Sequence, residues 1–253
     1  MVGRRGVVRA RPDAKHFVLV HGAWHGAWCW YKTVTLLQAD GHRVTVLDLP
    51  SHGTDGTPAA GVTLAAYAAR VIAAIDAAGE PVILVGHSMG GIVISTVAEA
   101  VPAKISRLVY VSAFLLPDGS SLLDVATRDA GSLATPNLIV KAEEGVVDIN
   151  RDGITAVFYG HSKPEDINLA RPLLKANALA PFATPLVLTP GNYGSVRRFY
   201  ISCLEDNAIT LAAQQSMVTA TPCEAVFPMH TDHSPFFSQP RQLHRIFSAI
   251  ARA

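Results

Sequence analysis

The chain has 253 residues, of which 49% are hydrophobic, enough apolar material for one large core. Its 21 basic and 20 acidic residues leave a net charge of +1, without the clustered basic surplus that nucleic acid or an anionic membrane favours. Mean hydropathy is high at +0.27, yet no apolar run approaches the ~18 residues that span a bilayer, so the excess reads as a buried parallel sheet.

The start, "MVGRRGVVRARPDAKH", is basic and lacks the apolar stretch and small-residue cleavage site of a secretory signal. It reads as a terminal arm. Cys29, Cys203 and Cys223 are odd in number and widely spaced, unlike a zinc or redox motif. They read as small buried residues in a reducing, cytoplasmic compartment.

Six short, β-branched runs read as strands: "HFVLV" (16–20), "RVTVLDL" (43–49), "PVILV" (81–85), "RLVYVS" (107–112), "RRFYIS" (197–202) and "EAVFPM" (224–229). Helical patterns alternate with them. Tyr31–Asp40 ends at Gly41. In Leu64–Ala78, the residues Leu64, Tyr67, Val71, Ile72 and Ile75 share one face, with Thr63 placed as N-cap and Gly79 as terminator. The alternation predicts an α/β fold: a mostly parallel six-stranded sheet with helices on both faces. It breaks between Phe114 and Ala180, where "LPDGSS", "RDG" and "HSKPED" are loop signals and no strand is expected. Residues 1–113 and 181–253 therefore read as the core, and 114–180 as an insertion after the fourth strand.

Gly86-His87-Ser88-Met89-Gly90 fits G-x-S-x-G, a pattern that carries weight only between a strand and a helix. "PVILV" and "IVISTVAEAV" supply both. A serine on so sharp a turn needs neighbours without side chains, and it gains the dipole of the following helix. Its hydroxyl also needs a base. In this topology the acid and then the histidine follow the serine in chain order. "FPMHTDHSPFFSQP" offers His230 and His233; His233 is preferred because it lies deeper in the loop, ahead of Ser234-Pro235. His87 reads as a packing residue, and His42, His52, His161 and His244 as surface or loop residues. "YISCLEDNAI" offers Asp206 and Glu205 as the acid that orients the imidazole. Asp206 is preferred, Asp118 is an alternative, and Asp232 reads as a turn residue.

Two backbone amides must receive a developing oxyanion, and Met89 and Ala23 are the candidates. Ala23 lies in "HGAWHGAWCWY", whose Trp28 and Trp30 read as core aromatics. His25 is open between site lining and polar packing. Trp24, Met89 and Phe236, with apolar groups of the insertion, are expected to line a pocket. No nucleotide loop, H-E-x-x-H or carboxylate cluster occurs, so neither cofactor nor metal is indicated.

Together, "FVLVHGAWHGAWCWYK", "VILVGHSMGG", "FYISCLEDNAI" and "TDHSPFFSQP" resemble the α/β-hydrolase superfamily. The likeness runs from about Lys15 across nearly the whole chain. It is greatest to the branch of plant methylesterases, the salicylate-binding esterase and the α-hydroxynitrile lyases, with bacterial esterase relatives. The resemblance implies a small, mainly helical cap formed by 114–180, and a homodimer. It places the triad on Ser88, Asp206 and His233 and the oxyanion hole on Ala23 and Met89. It also implies a serine carboxylesterase acting on small or aromatic esters. The lyases of this branch carry a threonine at the position of Gly22 and a lysine at that of Ser234; both departures favour the esterases. A lyase-type C–C cleaving enzyme and a non-catalytic small-molecule receptor are the rival readings.

Overall fold

The computed structural model describes residues 14–253, and the basic N-terminal arm lies almost wholly outside them. Strand β1 (His16–Val20) is buried at every position. It runs through the tryptophan-rich loop into helix α1 (Tyr31–Ala39), and Gly41 turns the chain with φ +85°. Strand β2 (Arg43–Val46) is shorter than the 43–49 run that the sequence predicts. Past Val46 the polar groups serve loops instead. Leu49 N–H donates to His21 Nε2 at 3.1 Å, and the Asp48 carboxylate accepts from the Ala27 and Thr54 amides at 2.7 and 2.9 Å.

Helix α2 (Leu64–Ala78) matches its predicted bounds. The Thr63 hydroxyl accepts the Ala66 N–H, a cap that contributes about 1 kcal/mol, and Leu64, Tyr67, Val71 and Ile75 are buried on one face. Strand β3 (Val82–His87) is buried throughout and feeds α3 (Gly90–Ala100), after which β4 (Ile105–Val111) returns to the sheet.

The next segment corrects the expectation of no strand between 114 and 180. After α4 (Leu122–Ala126) come β5 (Leu138–Lys141) and β6 (Val146–Ile149). Then follow α5 (Ile154–Phe158), α6 (Pro164–Ala170) and β7 (Asn177–Ala178). The three strands form a small antiparallel sheet in the order β5-β6-β7. Its hairpin is "LIVKAEEGVVDI", two β-branched runs around a charged turn; the runs are too short and the third strand too brief to stand out. Asp166 of α6 is buried and anchors the insertion to α1, accepting from Lys32 Nζ at 2.6 Å and Tyr31 OH at 2.8 Å.

Helix α7 (Ala180–Ala183) leads back to β8 (Arg198–Cys203), α8 (Leu211–Ala220), β9 (Ala225–Met229), α9 (Pro235–Ser238) and α10 (Pro240–Arg252). The main sheet has the order β2-β1-β3-β4-β8-β9, and every pairing is parallel. All its strands therefore end on one edge. Ala23, Ser88, Ser112, Asp206 and His233 each lie one to four residues past the C-terminal end of a strand, where ligands of open α/β sheets bind. Among the described residues no helix is long and apolar enough to cross a membrane.

Candidate active site

Ser88 sits between β3 and α3 with φ +53°, a strained conformation for a serine. Neighbouring contacts fix it there. Its carbonyl accepts from the Gly91 and Phe114 amides at 3.0 and 3.1 Å, and its own N–H donates to Val111 O at 3.3 Å. The turn closes so tightly that a Cβ on Gly86 would lie 2.6 Å from Gly90 O. The glycine of the motif is thus a steric requirement. Trp24 (φ +61°) and Ser112 (φ +39°) are strained as well. Of four non-glycine residues with positive φ among the described residues, three border this edge; the other is Ser51.

Asp206 and His233 are both buried, and His233 Nδ1 lies 2.7 Å from Asp206 Oδ2. Asp206 Oδ1 accepts from the Ala208 and Ile209 amides at 2.7 and 2.9 Å. Oδ2 accepts a second hydrogen bond, from the Ser112 hydroxyl. With Nδ1–H donating to the carboxylate, His233 keeps its Nε2 lone pair free. The His233 carbonyl accepts from His87 Nε2 at 2.8 Å, and the two rings lie 4.6 Å apart. Among the described residues Ser88 Oγ makes no hydrogen bond to His233, and such contacts are often loose before substrate binds.

Ala23 and Met89 are buried, yet neither amide donates to any protein acceptor among the described residues. Unpaired buried N–H groups are rare. The Ala23 amide is aimed by His21, whose Nδ1 donates to Gly22 O at 2.8 Å while its Nε2 accepts from Leu49. In a trans peptide the carbonyl and N–H point oppositely, so the Ala23 N–H faces away from His21. Burial pushes the His21 imidazole down to about 3, so it stays neutral in this one tautomer. The same cause holds His25 at about 3 and His87 well below its usual value; nearby His233 also lowers His87.

Ser88, Ala23 and Met89 open on one cavity of about 50 Å³, walled by Trp24, Phe114, Phe158 and Phe182 among others. Leu122 and Leu138 of the insertion close it. The wall carries no charged side chain, and the Ser132 hydroxyl in it is already donated to Ala208 O at 2.7 Å.

Several sequence expectations need correction. His25 does not line this cavity: its Nδ1 is 2.8 Å from Ala23 O and its Nε2 is 2.7 Å from Tyr159 OH, behind the loop. Phe236 is fully buried against His87 and Trp30, beneath the site rather than facing it. His52 lies in a loop, as expected, but it is buried, with Nε2 2.7 Å from Asn177 Oδ1. The alternative acids stand apart. Glu205 is exposed and pairs with His161 at 2.9 Å, and exposed Asp118 accepts from the Leu188 amide. His230 is exposed, whereas Asp232 is a buried turn residue accepting from the Ser234 and His161 amides. Trp24 does face the cavity, with its indole N–H donating to Val147 O at 3.1 Å.

Two residues were not legible in the sequence. His21 signals itself only by lying beside Ala23 in the tryptophan-rich loop. Ser112, at the end of β4, carries no motif at all.

Residues 17–246 match the model of the Alpha/beta hydrolase family, and the chain belongs to that family. It is 38% identical to "Putative methylesterase 11, chloroplastic" of Arabidopsis thaliana, over 95% of this chain and 65% of that protein. It is 37% identical to "Methyl jasmonate esterase 1" of Vitis vinifera, over 90% and 94% respectively. The chain spans 57–65% of the length of the first three curated relatives it matches. Among solved structures, tomato Methylketone Synthase I superposes with a TM-score of 0.85 at 31% identity, covering 94% of this chain and 98% of the other. Polyneuridine aldehyde esterase, as its H244A mutant, gives 0.84 at 29% identity, covering 94% and 99%.

Proposed function

We propose that the protein is a carboxylic ester hydrolase that works through an acyl-enzyme on Ser88, with residues 114–180 as its cap. The carrying observation is the pair of unpaired, buried amides of Ala23 and Met89, opening on the same cavity as the Ser88 hydroxyl. His233 Nε2 takes the Ser88 proton as Oγ bonds to the ester carbonyl carbon. The carbonyl π pair moves onto oxygen, where the two amides receive it. That pair then returns, the ester C–O bond breaks, and the departing alcohol takes the proton from His233. Water repeats the two steps on the acyl-enzyme, releasing the carboxylic acid and restoring Ser88. Asp206 holds the Nδ1–H and stabilises the imidazolium at each protonation.

The uncharged, aromatic wall fits a neutral hydrocarbon acyl group. At about 50 Å³ the cavity favours small acyl groups, since ~150 Å³ is the scale at which a closed cavity admits benzene. The methylesterase relatives fit a small alcohol. A lyase reading gains no support at Gly22: a Cβ there would lie 2.8 Å from Ser88 Cβ and 2.9 Å from His87 Nδ1, so a threonine has no room. Three free cysteines fit a reducing compartment.

The test is turnover of p-nitrophenyl acetate by Ser88→Ala. Loss of about 10³-fold or more is expected, because such residues act as a unit. Turnover near that of the unaltered protein overturns the proposal.

A further inference from the structure

We infer that Ser112 is a positioning residue that sets the strength of the catalytic base, by competing with His233 for one oxygen of Asp206. The inference rests on the catalytic reading of Ser88, Asp206 and His233 proposed above.

Three observations converge on Ser112. It is fully buried and immediately follows β4, the strand beside β8, after which Asp206 lies. Its backbone is held at φ +39° by its own N–H, which donates to Ile201 O at 2.8 Å. In that conformation its hydroxyl donates to Asp206 Oδ2, the oxygen that also accepts His233 Nδ1–H. A serine kept in a sparsely populated region for packing alone would be replaced at no loss by glycine. What glycine lacks is the hydroxyl.

The consequence is electrostatic. Asp206 Oδ1 is already saturated by two amides, so only Oδ2 is shared between a protein donor and the base. Each hydrogen bond to a carboxylate withdraws charge from it. The Ser112 O–H therefore leaves Oδ2 less able to stabilise the His233 imidazolium. Without Ser112, Oδ2 would accept from His233 alone, and its hold on the imidazolium would tighten.

Other titratable groups surround the pair, and of these the Ser112 hydroxyl also touches the Cys203 thiol, which burial keeps protonated. His87 faces the His233 ring from β3, and His25 approaches from the loop after β1. Tyr159 of the cap holds His25, and Arg151 of the cap adds charge nearby. Asp232 lies in the loop of His233 itself, with Glu205 and His161 paired outside. Tyr200 and Cys203 of β8 face Asp206, and burial keeps both protonated.

The experiment follows kcat/KM on p-nitrophenyl acetate from pH 5 to 9 for the unaltered protein, Ser112→Ala and Ser112→Gly, with Ser88→Ala alongside. The alanine keeps a Cβ at the strained φ and the glycine relieves it, so their stabilities differ while both lack the hydroxyl. Both are expected to move the acid limb of the profile upward by roughly half a pH unit, about threefold in kcat/KM on the acid side. An acid limb unmoved in either folded variant, or moved downward, overturns the inference, as does failure of both variants to fold, which would make Ser112 structural. If Ser88→Ala is inactive while the limb stays fixed, only the Ser112 inference falls. If Ser88→Ala retains full turnover, the catalytic reading falls with it.

Discussion

Asp206→Asn probes the site with the least change of shape. The carboxylate accepts four hydrogen bonds, two on Oδ1 from backbone amides and two on Oδ2 from Ser112 and His233. An asparagine keeps one oxygen. The Ala208 and Ile209 amides are fixed donors, so that oxygen stays on their side and the NH₂ group turns toward Ser112 and His233. Two donors cannot face each other, so His233 must present a bare Nδ1 and carry its proton on Nε2. It then has no lone pair to take the Ser88 proton. A wrong tautomer of this kind costs on the order of 10⁴ in kcat, about 5.5 kcal/mol of transition-state stabilisation. The assay is kcat on p-nitrophenyl acetate at pH 7.5, with far-UV circular dichroism to show an intact fold. Glu205→Gln is the control: its carboxylate is exposed and paired with His161, so turnover should stay within about twofold. A folded Asp206→Asn within tenfold of the unaltered protein would refute the tautomer argument, and a large loss in Glu205→Gln would transfer the role of acid.

Four further outcomes follow from the same geometry. Gly22→Ala places a methyl 2.8 Å from Ser88 Cβ and should lower kcat/KM at least tenfold with a folding cost of about 1–3 kcal/mol, checked by kinetics and urea melts; kinetics within twofold would show that the loop yields freely. Lys32→Met strands the buried Asp166 carboxylate and should destabilise by about 3 kcal/mol, read as a fall in the urea midpoint that Lys32→Met/Asp166→Leu largely recovers. His21 and His25, pushed down to about 3 by burial, bind fewer protons folded than unfolded below pH 6.5, so their stability contribution is complete above pH 6.5 and declines toward pH 3 by up to roughly 1.4 kcal/mol per unit each. Thermal melts from pH 7.5 to 5 should show that fall, and a flat melting temperature would contradict it. Across p-nitrophenyl acetate, butyrate and octanoate, kcat/KM should drop with acyl length, since about 50 Å³ is soon filled; equal rates would mean a wider cavity than the structure shows.

The parts of the fold that the sequence made legible are those governed by local rules. Thr63 and Gly79 bracket α2 because capping and positive φ depend on single residues. Ser88 was readable because its glycines answer to sterics within five residues. The hairpin of β5 and β6 was missed because two four-residue runs around "AEEG" are indistinguishable from loop until a third strand completes them. The chain order Ser88, Asp206, His233 was expected from topology, but the contact of Ser112 was not, since its hydroxyl meets Asp206 only once β4 and β8 are paired. His25 and Phe236 were misplaced for a related reason. Proximity in sequence to Ala23 and His233 says nothing about which side of a loop a ring takes.

Residues 114–180 are sewn to both loops that flank the cavity. On one side the Ser132 hydroxyl, the Leu133 amide and the Ala156 carbonyl hold residues 207–208 of the loop after β8. On the other, the Val147 carbonyl and the Lys175 amide hold Trp24, and Tyr159 holds His25. On the function proposed above, specificity and catalysis are therefore not modular in this protein. A 114–180 segment transplanted from a relative would bring a new pocket wall while loosening the Asp206 and Ala23 loops, unless those seams travelled with it. Substitutions at Leu122, Leu138 and Phe182, which touch the cavity and hold none of these hydrogen bonds, would reshape its wall without cutting the seams.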